Sequence, residues 1–198
     1  MENLNKDFWN ERYRSSQTGW DLKAPSPPLT AYINSLENKN LHILIPGCGN
    51  AYEAEYLLEK GFTNITLVDI AEEAIMRLQQ KFKGKPIQII HSDFFEHQGK
   101  YDVILEQTFF CAIHPSLRTK YVQHVHHLLK ENGVLAGLLF NCNFEKEGPP
   151  FGGELTEYQQ LFQPYFETKH MKLATNSVKP RAGNELFIQL IKKQPSLC

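Results

Sequence analysis

Apolar and polar positions alternate in blocks through the middle of this chain. Apolar runs at 41–46, 64–69, 86–91, 101–106 and 133–140 have the length of buried strands. Between them lie stretches with helical spacing at 51–60, 72–83 and 116–130. In the 72–83 stretch Ala74, Ile75, Leu78 and Phe82 share one stripe. Gly61 and Gly84 stand where helix stops are expected. Such alternation through short connections predicts a parallel sheet with helices on both faces.

The pattern changes in the last third. Glu154 to Tyr165 reads as a helix. Phe166 to Ala174 and Glu185 to Ile191 read as strands, joined by a polar loop that carries Lys179-Pro180-Arg181-Ala182-Gly183. Two strands so joined pair antiparallel. The expected fold is α/β: a Rossmann-like sheet of seven strands, mostly parallel, with an antiparallel hairpin at its C-terminal edge. The first 40 residues stand apart, with a short helix at Lys6–Arg14, Trp20-Asp21, a turn rich in proline (Pro25, Pro27, Pro28) and a helix at Leu29–Leu36. Residues 1–198 are therefore read as one domain, a core over 41–198 with 1–40 as a helical lid.

The chain's 198 residues suffice for one well-buried core. A net charge of -1, from 21 basic and 22 acidic residues, gives no electrostatic case for a nucleic-acid partner. The longest apolar run, Val134–Phe140, falls far short of the ~20 residues that span a bilayer. Met1–Arg14 lacks a signal-peptide core. The expectation is a cytoplasmic monomer without a membrane partner. Cys48, Cys111, Cys142 and Cys198 are spaced 63, 31 and 56 apart, which suits neither a metal nor a redox pair, and free thiols are expected.

Chemistry concentrates at 41–69. The run Leu41–Ile45 leads into Pro46-Gly47-Cys48-Gly49-Asn50, a helical pattern follows, and the next apolar run ends on Asp69, twenty positions after Gly49. Strand, glycine turn, helix, strand and acid form an adenosine grip, in which glycines admit a ligand to the backbone and the acid binds ribose hydroxyls. Tyr52 occupies the position of a third glycine, so a pyrophosphate lacks its close helix approach. That favours an adenosine cofactor without phosphates, although a tight βα turn with no ligand has the same outline. Asp69 also suits a cap on the helix that follows. Asp93, just past the run at 86–91, can accept from an adenine amino group with Phe94 against the ring, or can form an Asx turn.

Together, Pro46-Gly47-Cys48-Gly49, Asp69, Asp93 and the run Glu106-Gln107-Thr108-Phe109-Phe110-Cys111-Ala112-Ile113-His114-Pro115 with Arg118 resemble the class I S-adenosylmethionine-dependent methyltransferases. Within these the chain resembles the thiopurine S-methyltransferase family over nearly its whole length, and its thiol and halide methyltransferase branch most. The resemblance implies S-adenosylmethionine as cofactor and S-adenosylhomocysteine as product. It implies that Trp9, Tyr13 and Trp20 close over the cofactor, although the family more often has tryptophan where this chain has Tyr13. Trp9 and Tyr13 fall on one helical face, and aromatic faces attract the sulfonium by ~0.5–2 kcal/mol each. Docking of the segment on the core explains the same aromatics. By the same carry-over Gly47 and Gly49 approach the methionine part, Asp69 the ribose, and Asp93 and Phe94 the adenine. Gln107 then lines the methyl-transfer site, where the branch often has tyrosine. Arg118 lies near a small-molecule acceptor, or is a solvated helix residue or one half of a salt bridge.

The implied reaction is in-line displacement of the methyl group by a small thiol, thiopurine, halide or chalcogen nucleophile. Orientation alone can supply ~7–11 kcal/mol, so no catalytic triad or metal is required. His114 is placed to act as a base, while His124, His126 and His127 read as a solvated helix face. Gly148-Pro149-Pro150-Phe151-Gly152-Gly153 either shapes the acceptor pocket or forms a rigid loop. The competing readings are a nicotinamide-dependent reductase and a cofactor-binding protein without turnover.

Overall fold

The computed structural model describes residues 4–194. Cys198 lies outside them. The apolar runs become seven strands: β1 (Ile43–Pro46), β2 (Ile65–Asp69), β3 (Ile87–His91), β4 (Tyr101–Gln107), β5 (Leu129–Phe140), β6 (Phe166–Leu173) and β7 (Glu185–Lys192). The helices are α1 (Lys6–Arg14), α2 (Pro27–Asn34), α3 (Tyr52–Glu59), α4 (Glu72–Lys81), α5 (Arg118–Leu128) and α6 (Leu155–Phe162).

One sheet holds all seven strands in the order β3-β2-β1-β4-β5-β7-β6. The first five are parallel, and β7 runs antiparallel to both β5 and β6. The expected C-terminal hairpin is therefore present, with its second strand inserted next to β5. Strand order reverses between β1 and β4. At such a switch point the loops part, and a crevice opens beyond the carboxyl ends of the strands.

Side chains alternate across the sheet and feed two cores. Leu44, Ile104 and Leu135 pack with Tyr121, Val122 and Val125 of α5 and with Tyr158 and Phe162 of α6. Ile43, Ile45, Val103 and Leu105 face the other way, onto Tyr32 and Ile33 of α2, Leu57 of α3 and Leu78 of α4. Helices thus cover both faces, as the alternation predicts.

Some boundaries differ from the sequence pattern. The expected helix at 116–130 begins as a 3-10 turn, Pro115–Leu117, and becomes α-helical only from Arg118. Strand β5 starts at Leu129 instead of 133, because Leu129 pairs with Tyr101 before the register shifts to Val103↔Val134. Asn132 turns the chain through this irregularity at φ +58°.

The N-terminal segment lies on the core. In α1, Asn10 Oδ1 accepts from the Glu73 amide at 3.1 Å and Arg14 pairs with Glu73 at 2.7 Å. Tyr13 is buried there with Ala71 and Ala74, against Trp9 and Trp20. The Ser26 amide, just before α2, donates to Glu53 Oε1 at 2.9 Å. Between these anchors residues 16–24 cross the crevice. No helix among the described residues is long and apolar enough to cross a membrane.

Candidate active site

The crevice at the switch point is a cavity of about 980 Å³. The turn after β1 forms its floor. Gly47 and Gly49 adopt φ of +54° and +52°, left-handed values that L side chains rarely adopt. Space matters as much as conformation. A Cβ on Gly47 would run into the Phe109 ring, and one on Gly49 would come within 3.1 Å of the Tyr13 hydroxyl.

Asp69 holds this turn. Its Oδ2 accepts from the Gly49 amide and its Oδ1 from the Ala71 amide, both at 2.9 Å. One carboxylate thus ties β1's turn to the start of α4 while lining the cavity. Burial holds its pKa above the usual carboxylate value, opposed by the amides of Ala71, Gly49 and Ile70. Each carboxylate oxygen has a second lone pair available for a further donor. Asp93 caps the 3-10 turn that follows β3, with Oδ1 accepting from the Phe95 amide at 2.9 Å. The Asx turn is therefore real, and Asp93 lines the cavity as well. Phe94 also reaches the cavity, but it is buried in the core edge-on to Phe109 at 5.1 Å.

Trp9, Tyr13 and Trp20 all line the cavity. Trp20 meets Trp9 at 5.6 Å and Tyr13 at 5.8 Å, both edge to face. The Tyr13 ring carries the Arg77 guanidinium 5.4 Å from its centroid, while its hydroxyl stands over Gly49. Burial first, and then the charge of Asp69, keeps that phenol protonated. Asp21 adds a polar contact that the sequence pattern did not single out, accepting from Asn50 Nδ2 at 2.9 Å.

The opposite wall is the segment after β4. Gln107 ends that strand, and its Oε1 is buried without a hydrogen-bond partner. Among the described residues, Gln107 is the one cavity-lining residue with a buried side-chain polar atom that lacks a partner. Behind it, Glu106 faces away and is fully buried. Its Oε1 accepts from the amides of Phe109 (2.8 Å) and Phe110 (2.9 Å), and its Oε2 from the Tyr121 hydroxyl (2.8 Å). A side chain on the facing Gly137 would strike it. Burial pushes Glu106 up to about 7, against those three donors. Beyond this anchor Phe109, Ile113 and Leu117 present an apolar wall with Phe140, Pro149 and Pro150.

Arg118 is not part of that wall. Its side chain turns into the protein, where Nη1 pairs with Glu157 at 2.8 Å and Nη2 donates to the Gly152 carbonyl at 2.7 Å. The salt-bridge alternative describes it, and a direct place beside the acceptor is corrected. Its effect on the cavity is indirect, through the loop that carries Pro149 and Pro150. Arg181 occupies the cavity instead, buried between Glu185 and the Trp20 carbonyl. The helix histidines also differ from expectation. His127 is exposed, but His124 packs edge-on to Phe94 at 4.9 Å and His126 Nε2 meets the Lys193 carbonyl at 3.2 Å. His114 lines the cavity with Nδ1 engaged by Ser116. No group of three or more metal-binding side chains converges among the described residues.

A left-handed glycine turn, two carboxylates and an amide oxygen without a hydrogen-bond partner around one cavity suit a polar, adenosine-bearing ligand at the switch point. Comparison with known proteins agrees. The thiopurine S-methyltransferase family profile matches residues 4–194. A probable thiol methyltransferase 2 of Arabidopsis thaliana is 30% identical, with 89% of this chain and 81% of that protein aligned. A thiopurine S-methyltransferase of Acinetobacter baylyi is 24% identical over 91% of this chain and 94% of its own. Among solved structures, a Burkholderia thailandensis 1,6-didemethyltoxoflavin-N1-methyltransferase, with bound 1,6-didemethyltoxoflavin and S-adenosylhomocysteine, superposes with a TM-score of 0.74. It is 20% identical, covering 96% of this chain and 87% of that one.

Proposed function

The chain belongs to the thiopurine S-methyltransferase family of S-adenosylmethionine-dependent enzymes, and from that premise we propose that it methylates a soft, small nucleophile, foremost a thiol. The observation that carries this reading is one cavity lined by the Gly47–Gly49 turn, Asp69, Asp93 and Gln107, whose Oε1 has no hydrogen-bond partner. A buried acceptor left without a partner costs about 1–3 kcal/mol, and a bound ligand removes that cost. S-adenosylmethionine would supply a methyl group already activated by the charge on its sulfur.

The residues present fit that cofactor. Gly47 and Gly49 leave room for its amino-acid end, Asp69 accepts from the ribose, and Asp93 accepts from the adenine amine. Trp9 and Trp20 offer aromatic surface to the cation. Tyr13 acts through its hydroxyl at the glycine turn, because Arg77 already occupies its ring face. Gln107 stands at the transfer position. Phe109, Ile113, Leu117 and Phe140 give the acceptor an apolar seat, which favours a polarisable sulfur over a strongly hydrated oxygen nucleophile. Holding both partners in line performs most of the work.

Labelled S-adenosylmethionine offered with hydrosulfide, aromatic thiols, a thiopurine, thiocyanate and iodide tests the reading. Transfer is expected to the thiols first. Tight binding of NADH with no binding of S-adenosylhomocysteine would overturn it in favour of a reductase.

A further inference from the structure

We propose that Arg181 is a positioning residue that latches the cavity-closing strap onto the far wall. The inference uses the methyltransferase reading only for what the strap encloses.

Residues 17–22 form this strap, and Gln17, Gly19, Trp20, Asp21 and Leu22 line the cavity. It is bracketed by Ser16 and Lys23, both at φ +56°. Neither is glycine, so each holds a left-handed backbone that L residues rarely keep without outside constraint. The elements on either side are fixed, α1 to Glu73 of α4 and Ser26 to Glu53. Movement of the strap alone therefore leaves its flanks in place.

Two tethers hold the strap to the core. On the glycine-turn side, Asp21 Oδ2 accepts from Asn50 at 2.9 Å and from the Tyr52 hydroxyl at 3.4 Å. On the opposite side, Arg181 Nη2 donates to the Trp20 carbonyl at 2.7 Å, across 161 residues of sequence. The arginine is itself held: Nη1 pairs with Glu185 Oε1 at 3.3 Å, at the start of β7, and the guanidinium lies 5.6 Å from the Phe140 ring centroid. Its backbone is fixed by a 3-10 turn, with the Arg181 amide donating to the Val178 carbonyl at 2.8 Å. A rigid, always-charged fork can grip an acid and a carbonyl at once, and a lysine ammonium cannot reproduce that geometry. Arg181 thereby joins the sheet, the Phe140 wall and the strap through one side chain.

The test compares wild type with Arg181→Lys and with the double variant Arg181→Met/Glu185→Leu, which removes the pair without leaving a buried lone charge. The chain has two tryptophans, Trp9 and Trp20, so intrinsic emission reports on this segment. In ligand-free protein the double variant is expected to show red-shifted emission and faster tryptic cleavage after Lys23. S-adenosylhomocysteine is expected to bind about tenfold more weakly, the scale of one charged hydrogen bond. KM for the cofactor rises while kcat at saturation stays near wild type, and Arg181→Lys restores part of the loss. Unchanged emission and cleavage in a folded double variant would overturn the latch, as would a lowered melting temperature with both readouts unmoved. Failure of wild type to bind S-adenosylhomocysteine would count against the methyltransferase reading instead, and the ligand-free readouts would still decide the latch.

Discussion

Replacing Glu106 with glutamine separates two effects that meet in one buried carboxyl. Glu106 is 0% exposed, and three donors point at it. The donors favour the ionised form, and burial favours the neutral one. Burial wins, raising the group from 4.5 to about 7. A folded-state value above the unfolded one gives stability that is fully present below about pH 4.5 and lost as pH rises through about 7. At 1.36 kcal/mol per unit, the loss across that window is roughly 3 kcal/mol. Glutamine keeps the shape, keeps an oxygen for the two amides, and lets its NH2 donate to the Tyr121 oxygen. It has no proton to lose. Other buried acids, Asp69 and Glu53, titrate alike in both proteins and cancel in the comparison. Urea unfolding of wild type and Glu106→Gln near pH 5 and near pH 8 should therefore show the variant gaining about 2.5 kcal/mol on wild type at the higher pH, since a little of the loss has already occurred at pH 5. Parallel stability–pH curves would refute the reasoning, because they would mean that the three donors offset burial completely.

Asp69→Asn keeps an oxygen for the turn but removes the charge, and should weaken S-adenosylhomocysteine binding by roughly 1.5–3 kcal/mol; unchanged affinity in calorimetry would make Asp69 a tether only. Gln107→Leu removes the unpaired buried oxygen, so thermal stability should hold or rise by about 1 kcal/mol while kcat/KM falls. A parallel drop in both would show that Gln107 is structural. Deleting residues 1–20 should leave a cooperatively melting core, destabilised where Ala71 and Ala74 become exposed, without methyl transfer. Full turnover by the truncated chain would sink the lid.

The sheet was legible because each strand carries its own signal. Apolar runs of fixed length, glycine stops and one helical stripe are local, and local patterns survive without knowledge of neighbours. The glycine turn and Asp69 were legible for the same reason, since their spacing is set by one βαβ unit. Even Tyr52 was informative, by occupying a place that a pyrophosphate grip keeps bare. The tertiary use of the loops was harder to read. Asp93 and Phe94 were placed at the cavity, but nothing in Ser92-Asp93-Phe94-Phe95 says that Phe94 also belongs to the α5 core. His124 looked solvated on a helical wheel and is half-buried, because the 94–96 turn folds over that face.

The two arginines show where sequence reasoning stops. Arg118 stands at the end of the most specific motif, and Arg181 in a loop that reads as polar and solvated. The structure reverses their places. Arg118 opens α5, so its side chain leaves along the helix start toward α6 and the 148–153 loop, where Glu157 and the Gly152 carbonyl receive it. Arg181 is held inward by two acceptors, the buried Glu185 carboxylate four residues on and the Trp20 carbonyl. Both outcomes depend on partners at 34, 39 and 161 residues' separation. A buried guanidinium requires several acceptors converging from different elements, and that convergence is a property of the fold. The cavity accordingly owes its floor to short-range sequence and its closure to long-range pairing, so substitutions at the floor should act on cofactor affinity directly and those at Arg181 through the strap.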